Sequence, residues 1–177
     1  MIKIYTDGSC LGNPGAGGWA AVIFDEQNQR EEIYGGAEHT TNNRMELTAA
    51  IRALEKISSG KRVELFTDSS YLKNAVMNGW LANWKANDWA DALRRGILNL
   101  DLWQELDDLL AARDVKFNWV KGHAGNPLNE RCDKLARSTA EKFQRGELKD
   151  TVQPPKPPKP KNLPRGQLFL FDSLEYS

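Results

Sequence analysis

The sequence predicts an α/β fold, a five-stranded mixed sheet in which an antiparallel meander continues into parallel strands, flanked by helices. Three observations carry this. Apolar runs at 2–7, 19–24 and 31–36 follow one another through short polar or glycine-rich turns, as in a meander. A helical stretch after Thr40 then leads to a fourth apolar run at 62–68, and a strand–helix–strand unit of this kind makes the later strand parallel to its partner. Finally, the chain between 69 and 145 reads as helical, with one further strand at 115–120.

The first strand, Ile2-Lys3-Ile4-Tyr5-Thr6-Asp7, is expected to end in a carboxylate followed directly by a glycine turn at Gly8, which leaves space beside the acid. Cys10 to Gly18 reads as a glycine-rich turn that fits no phosphate-cradling pattern. Thr40-Thr41-Asn42-Asn43 supplies N-cap candidates for a helix whose apolar face is Met45, Leu47, Ala50, Ile51, Leu54 and Ile57, with Gly60 as its stop. The fourth strand repeats the Thr-Asp ending at Thr67-Asp68, followed by a helix start at Ser69-Ser70. From Tyr71 to Trp103 the chain is expected to be helical and rich in tryptophan, punctuated by Gly79 and Gly96, and Leu98 to Ala112 forms a further amphipathic helix. Asn126 and Pro127 start the last helix as N-cap and first-turn proline, with Leu128, Cys132, Leu135, Ala136, Thr139 and Phe143 facing inward.

The 177 residues suffice for one domain and an appendage. Hydrophobic content of 40% and charged content of 27% describe an ordinary globular protein. Lys+Arg and Asp+Glu balance at 24 each, so net charge announces no nucleic-acid partner, although balance can conceal local asymmetry. Cys10 and Cys132 stand far apart and outside any CxxC pattern, which argues for a reducing compartment and against a disulfide or zinc framework. Without a signal peptide or a membrane-length apolar run, a cytoplasmic protein with no membrane association is expected; a monomer is expected as well. After Gly146 the composition changes. Residues 1–145 form the expected folded domain, 146–166 a Pro/Lys-rich extended linker, and 167–177 an apolar tail.

Asp7 and Asp68, each closing a strand, would point from one edge of the sheet if those strands are parallel neighbours. Glu46 lies early on the first helix and Asp133 two turns into the last. Four converging carboxylates without a balancing arginine repel one another, and a hard divalent cation is the usual remedy. Two such ions can hold the attacking and leaving oxygens of a phosphodiester. Spacing alone leaves open the reading that these are unrelated surface and cap acids.

Five motifs add to the spacing: Thr6-Asp7-Gly8-Ser9-Cys10-Leu11-Gly12-Asn13-Pro14-Gly15, Thr41-Asn42-Asn43-Arg44-Met45-Glu46-Leu47, Thr67-Asp68-Ser69, Trp119-Val120-Lys121-Gly122-His123-Ala124-Gly125 and Asn129-Glu130-Arg131-Cys132-Asp133. In this order, over residues 1 to about 142, they closely resemble the bacterial type 1 ribonuclease H family. The resemblance implies the ribonuclease H-like fold and an endonuclease that cuts the RNA strand of RNA–DNA hybrids to 5′-phosphate and 3′-hydroxyl ends. It implies two Mg²⁺ ions, with Mn²⁺ as a possible substitute, bridged by Asp7. Asp133 would help hold the ion that activates the attacking water, and Glu46 and Asp68 the ion at the leaving oxygen. His123, on a glycine-flanked loop, would assist proton transfer or product release, while His39 matches nothing. Cys10, Asn13, Asn42 and Asn43 match hybrid-reading positions, with Thr41 and Arg44 beside them near the DNA backbone.

Two departures stand out. Ser70 occupies a position where the family commonly has Gln. The region after Trp80, strongly basic in the family, is nearly neutral here, with Arg94 and Arg95 its main cations. Trp80 and Trp84 match family positions that could pack against the DNA track, or serve as helix core. Fewer cations predict a weaker grip and a flatter salt dependence. In the tail, Gln167-Leu168-Phe169-Leu170-Phe171 resembles the bacterial sliding-clamp-binding pentapeptide, with Gln167, Leu168, Leu170 and Phe171 as anchors. The linker before it could reach ~60 Å as polyproline. Rival readings are another two-metal enzyme of the same fold, of the resolvase or transposase type, and a non-catalytic hybrid-binding module.

Overall fold

The computed structural model describes residues 1–122 and 125–149. His123 and the tail with its candidate motif lie outside the described residues. One five-stranded sheet organises the chain, in the order β3-β2-β1-β4-β5. Strands β1 (Ile2–Leu11), β2 (Gly15–Phe24) and β3 (Arg30–Thr40) form the antiparallel meander. Strands β4 (Arg62–Thr67) and β5 (Asp114–Trp119) extend it in parallel from β1. The mixed five-stranded architecture is as expected.

The meander strands are longer than their apolar runs suggest. Gly15, Gly17 and Gly18 belong to β2, and the turn shrinks to Gly12–Pro14. Asp7 consequently stands inside β1, paired with Ala20, and not at the strand's end. The reason is packing: a side chain on Gly18 would have its Cβ 2.1 Å from the Ala136 carbonyl oxygen, so the glycines of this strand admit a helix at backbone distance.

Helix α1 (Asn42–Glu55) packs on one face of the sheet and α6 (Pro127–Gln144) on the other, against β1, β2 and β3. Thr41 caps α1 by accepting from the Arg44 amide. Asn126 caps α6 through the Leu128 and Asn129 amides, with Pro127 in the first turn. Under α1 lies the main core, in which Ile4, Leu47, Ile51, Leu54, Leu65, Leu72, Trp103 and Leu106 are fully buried. Each such side chain stabilises the fold by about 1.5–3 kcal/mol.

The stretch from Tyr71 to Trp103 is interrupted at Gly79 and Gly96, as expected, and also at Asp88–Trp89 and Asn99, which was not expected. It divides into α2 (Ser70–Met77), α3 (Trp80–Ala86), α4 (Ala90–Arg94) and the start of α5 (Leu100–Ala111). Gly79, Asp88, Trp89, Gly96 and Asn99 adopt positive φ at the breaks. Tertiary packing compensates: Trp89 is buried, and Trp84 lies 6.4 Å from its ring and 5.7 Å from that of Trp103. The Tyr71 hydroxyl accepts from Asn99 and from the Trp103 indole and donates to the Leu98 carbonyl, tying α2 to α5. No helix among the described residues is long and apolar enough to cross a membrane.

Candidate active site

The parallel register decides where the acids meet. Thr6 of β1 pairs with Thr67 of β4, after which β4 ends and β1 continues beside β2 alone. Asp7 and Asp68 are the next residues of the two strands, so they emerge together where the sheet forks. Alternation along β1 turns Gly8 toward α1 and Asp7 toward the α6 layer. Glu46 arrives from α1 and Asp133 from α6, around the edge that β4 has vacated.

Close backbone approach makes this possible. A Cβ on Gly8 would stand 2.3 Å from the Glu46 nitrogen and 2.5 Å from the Met45 carbonyl carbon. Only glycine lets α1 lie on β1 at the residue beside Asp7.

Asp7 is buried, and its Oδ1 accepts from the Gly8 amide at 2.7 Å. Burial, then the Asp68 charge, and further Asp133 and Glu46 push its carboxyl up to about 8, against the lowering effect of the Gly8 N–H. Burial also raises Glu46, opposed by the hydrogen bond from Ser69, with Asp68 raising it and Asn42 lowering it. Asp7 therefore feels all three partner acids.

Neutral donors hold the acids apart. The Ser69 hydroxyl donates to Glu46 Oε2 and Asn42 Nδ2 to Glu46 Oε1 at 3.0 Å. Ser69 also caps α2, so one hydroxyl anchors both the helix and the carboxylate. Asn129 Nδ2 donates to Asp68 Oδ2 at 3.0 Å, and its Oδ1 is buried without a hydrogen-bond partner. Among the described residues, no three His, Cys, Asp or Glu side chains stand gathered as around a metal ion. Glu46 and Asp68 are turned onto Ser69, Asn42 and Asn129 instead. Sequence reasoning treated Gly8 as a turn and Ser69 as a helix start, and left Asn129 without a role. Gly8 instead lies inside β1, paired with Trp19, and all three belong to the site. The Thr-Asp-Ser and Asp-Gly pairs and the first turn of the last helix were the available signals.

The residues expected to read a hybrid cluster at the β1–β2 turn and the start of α1. Asn13 Oδ1 accepts from the Asn42 amide at 3.1 Å, which joins the two segments. The Cys10 thiol, half-buried, faces the carbonyls of Gly12 and Thr40. Asn43 and Ser70 are exposed. Arg44 is committed within the protein: its guanidinium pairs with both Asp101 oxygens, at 3.1 and 2.8 Å, and also donates to Asn99. Trp80 stands 45% exposed, whereas Trp84 is half-buried among the aromatic rings. The low charge after Trp80 is accentuated by internal pairing. Lys85 pairs with Asp107, and Arg94 and Arg95 both pair with Asp91.

Known proteins resemble this chain in sequence and in fold. The profile described as RNase H matches residues 1–141. A ribonuclease H of Pseudoalteromonas atlantica is 52% identical over 139 residues, which cover 78% of this chain and 90% of that protein. The chain belongs to the RNase H family. It is accordingly an enzyme of the ribonuclease H type. A second relative in the family, the ribonuclease H of Bartonella bacilliformis, is 49% identical over 144 residues, covering 81% of this chain and 92% of that one. Among solved structures, LC9-RNase H1, a type 1 RNase H with the type 2 active-site motif, superposes with a TM-score of 0.67 at 32% identity, covering 79% of this chain and 72% of that one. LC11-RNase H1, solved in complex with an RNA/DNA hybrid, gives a TM-score of 0.57 at 25% identity, covering 80% and 98%. The sheet and its flanking helices are thus the RNase H fold.

Proposed function

We propose that the protein is an endonuclease that hydrolyses the RNA strand of RNA–DNA hybrids with the help of divalent cations, leaving 5′-phosphate and 3′-hydroxyl ends. The observation that carries this is the buried Asp7 at the fork of the sheet, in electrostatic contact with Asp68, Asp133 and Glu46. The donor set fits hard cations. It offers four carboxylates, and among the described residues no arginine acts on Asp7 or Glu46, while the orphaned Asn129 Oδ1 could accept from a water in the same space. Asp7, Glu46, Asp68 and Asp133 would hold two Mg²⁺ ions, with Mn²⁺ as a substitute. When bound, such ions activate water and neutralise the leaving oxygen of a phosphodiester.

The chain's own residues supply the rest. Ser69 and Asn42 hold Glu46 in place, and Asn129 holds Asp68. Cys10, Asn13, Asn42 and Asn43, joined across the β1–β2 turn, would face the 2′-hydroxyls of a shallow minor groove, beside Thr41, Arg44 and Ser70. Trp80 and Trp84 would lie along the DNA track. His123 would carry a proton or release product. Replication RNA and R-loops are the expected substrates in the cell, and the 167–171 segment would tether residues 1–145 to the replication sliding clamp through the linker, compensating for a weakly basic domain.

Cleavage of an end-labelled hybrid with Mg²⁺ tests the reading. Wild-type protein should cut only the RNA strand, and Asp7→Asn should abolish cutting while hybrid binding persists. An Asp7→Asn protein that cuts like wild type overturns the catalytic assignment. Deleting 167–171 should remove co-elution with the clamp without changing cleavage of short hybrids.

A further inference from the structure

The geometry points to a nucleotide-binding platform formed by Trp119 and Lys73, on the β5 side of the acid cluster, which grips the sugar–phosphate backbone of a hybrid strand as it leaves the site. Trp119 is the last residue of β5 and pairs in register with Thr67, so it lies beside Asp68. Its indole N–H donates to the Asp68 main-chain oxygen at 3.3 Å, which fixes the ring against the end of β4. The Lys73 ammonium, from α2, sits 4.2 Å from the ring centroid. A cation held over an aromatic face in this way is oriented at small entropic cost.

Two features separate this pair from ordinary surface decoration. Trp119 keeps 43% of its surface exposed, as Trp80 does at 45%, whereas Trp19, Trp89 and Trp103 are buried. Among the described residues, Lys73 forms no ion pair with any carboxylate, and neither does Lys121, two residues past Trp119. The cations of the α3–α4 segment, Lys85, Arg94 and Arg95, are by contrast all bound to Asp91 or Asp107. Free positive charge beside an exposed ring suits a nucleic-acid strand. The ammonium meets a phosphate, and the ring meets a sugar or base whatever the sequence. The anchor would stand across the acids from the Asn13–Asn42 junction, so a strand could be held on both sides of the scissile bond. It would also replace part of the grip that the neutral α3–α4 segment lacks.

The platform rests on the proposed hybrid-cleaving reading, and one experiment separates the two. The full-length protein and its Lys73→Gln, Trp119→Phe and Trp119→Ala variants are compared on a short labelled hybrid for KM, kcat and the slope of log affinity against log salt. Thermal melting checks each fold. Lys73→Gln should raise KM at unchanged kcat and lower the salt slope by about 0.7–0.9, the contribution of one phosphate contact. Trp119→Ala should weaken binding about 5- to 150-fold, the range for one lost stacking contact, and Trp119→Phe should stay close to wild type. If the wild type cuts the hybrid while Lys73→Gln leaves KM and salt slope unaltered, the platform is refuted and the catalytic reading stands. Wild-type protein that does not cut hybrids refutes the catalytic reading itself.

Discussion

Asp7→Asn should make the protein more stable in the absence of divalent cations, by an amount that grows with pH. The carboxyl of Asp7 has an ordinary value of 3.8 and is pushed up to about 8 in the fold, first by burial and then by Asp68. Between these values the folded chain keeps a proton that the unfolded chain has released. Stability from this group is therefore complete below about pH 4 and falls as pH rises toward 8. At ~1.4 kcal/mol per unit, a displacement of about four units corresponds to a ceiling of about 5 kcal/mol at pH 8, and neighbouring acids that relax reduce it to a few kcal/mol. Asparagine has nearly the shape of the neutral acid and does not titrate. Guanidinium unfolding in EDTA at pH 5, 6, 7 and 8 should give curves for wild type and Asp7→Asn that diverge steadily, with the variant more stable at pH 8. A difference that stays flat across this range, or a variant less stable at pH 8, would refute the reasoning.

Other substitutions probe how the site is held. Gly8→Ala drives a methyl into the Glu46 and Met45 backbone, which cannot rotate away. It should cost about 3 kcal/mol or more in chemical denaturation and depress cleavage by displacing Glu46 from Asp7. Arg44→Ala leaves Asp101, only 11% exposed, without its bidentate partner. A loss of about 3 kcal/mol is expected, and Arg44→Lys should recover only part of it. Thiol titration should distinguish the two cysteines. Burial pushes Cys132 up to about 12, and its surface is fully covered, so it should resist a thiol reagent until denaturant is added, whereas half-buried Cys10 reacts in the folded protein.

The parts of the fold that were legible share a local cause. Thr41 and Asn126–Pro127 start helices because a side-chain oxygen or a fixed φ acts within one turn, and sequence patterns record that directly. Parallel pairing of β4 with β1 followed from a single strand–helix–strand unit. The glycines at 15, 17 and 18 misled because the sequence does not show whether a missing side chain serves a turn or a neighbour. Here Gly18 makes room for Ala136, a residue 118 positions away. The breaks at Asp88–Trp89 and Asn99 were hidden for the opposite reason. Nothing in the local sequence favours a left-handed tryptophan, and the aromatic cluster around Trp103 sustains it. The acids were readable as residue types on ends of elements. That Asp7 lies within its strand, and that Ser69 and Asn129 steady the other carboxylates, depends on where β4 stops.

The region from α2 to α5 has a further consequence. Helix α3 packs on α2 and α4 on α3, while Tyr71 and Trp103 lock α2 to α5 beneath them. The α3–α4 part of this layer makes little contact with the strands that carry the acids. Its surface charge can therefore drift over generations without disturbing the chemistry, so affinity for a polyanion and turnover can be inherited as nearly separate traits. A lineage that loses cations there keeps a working blade and is left to find another handle.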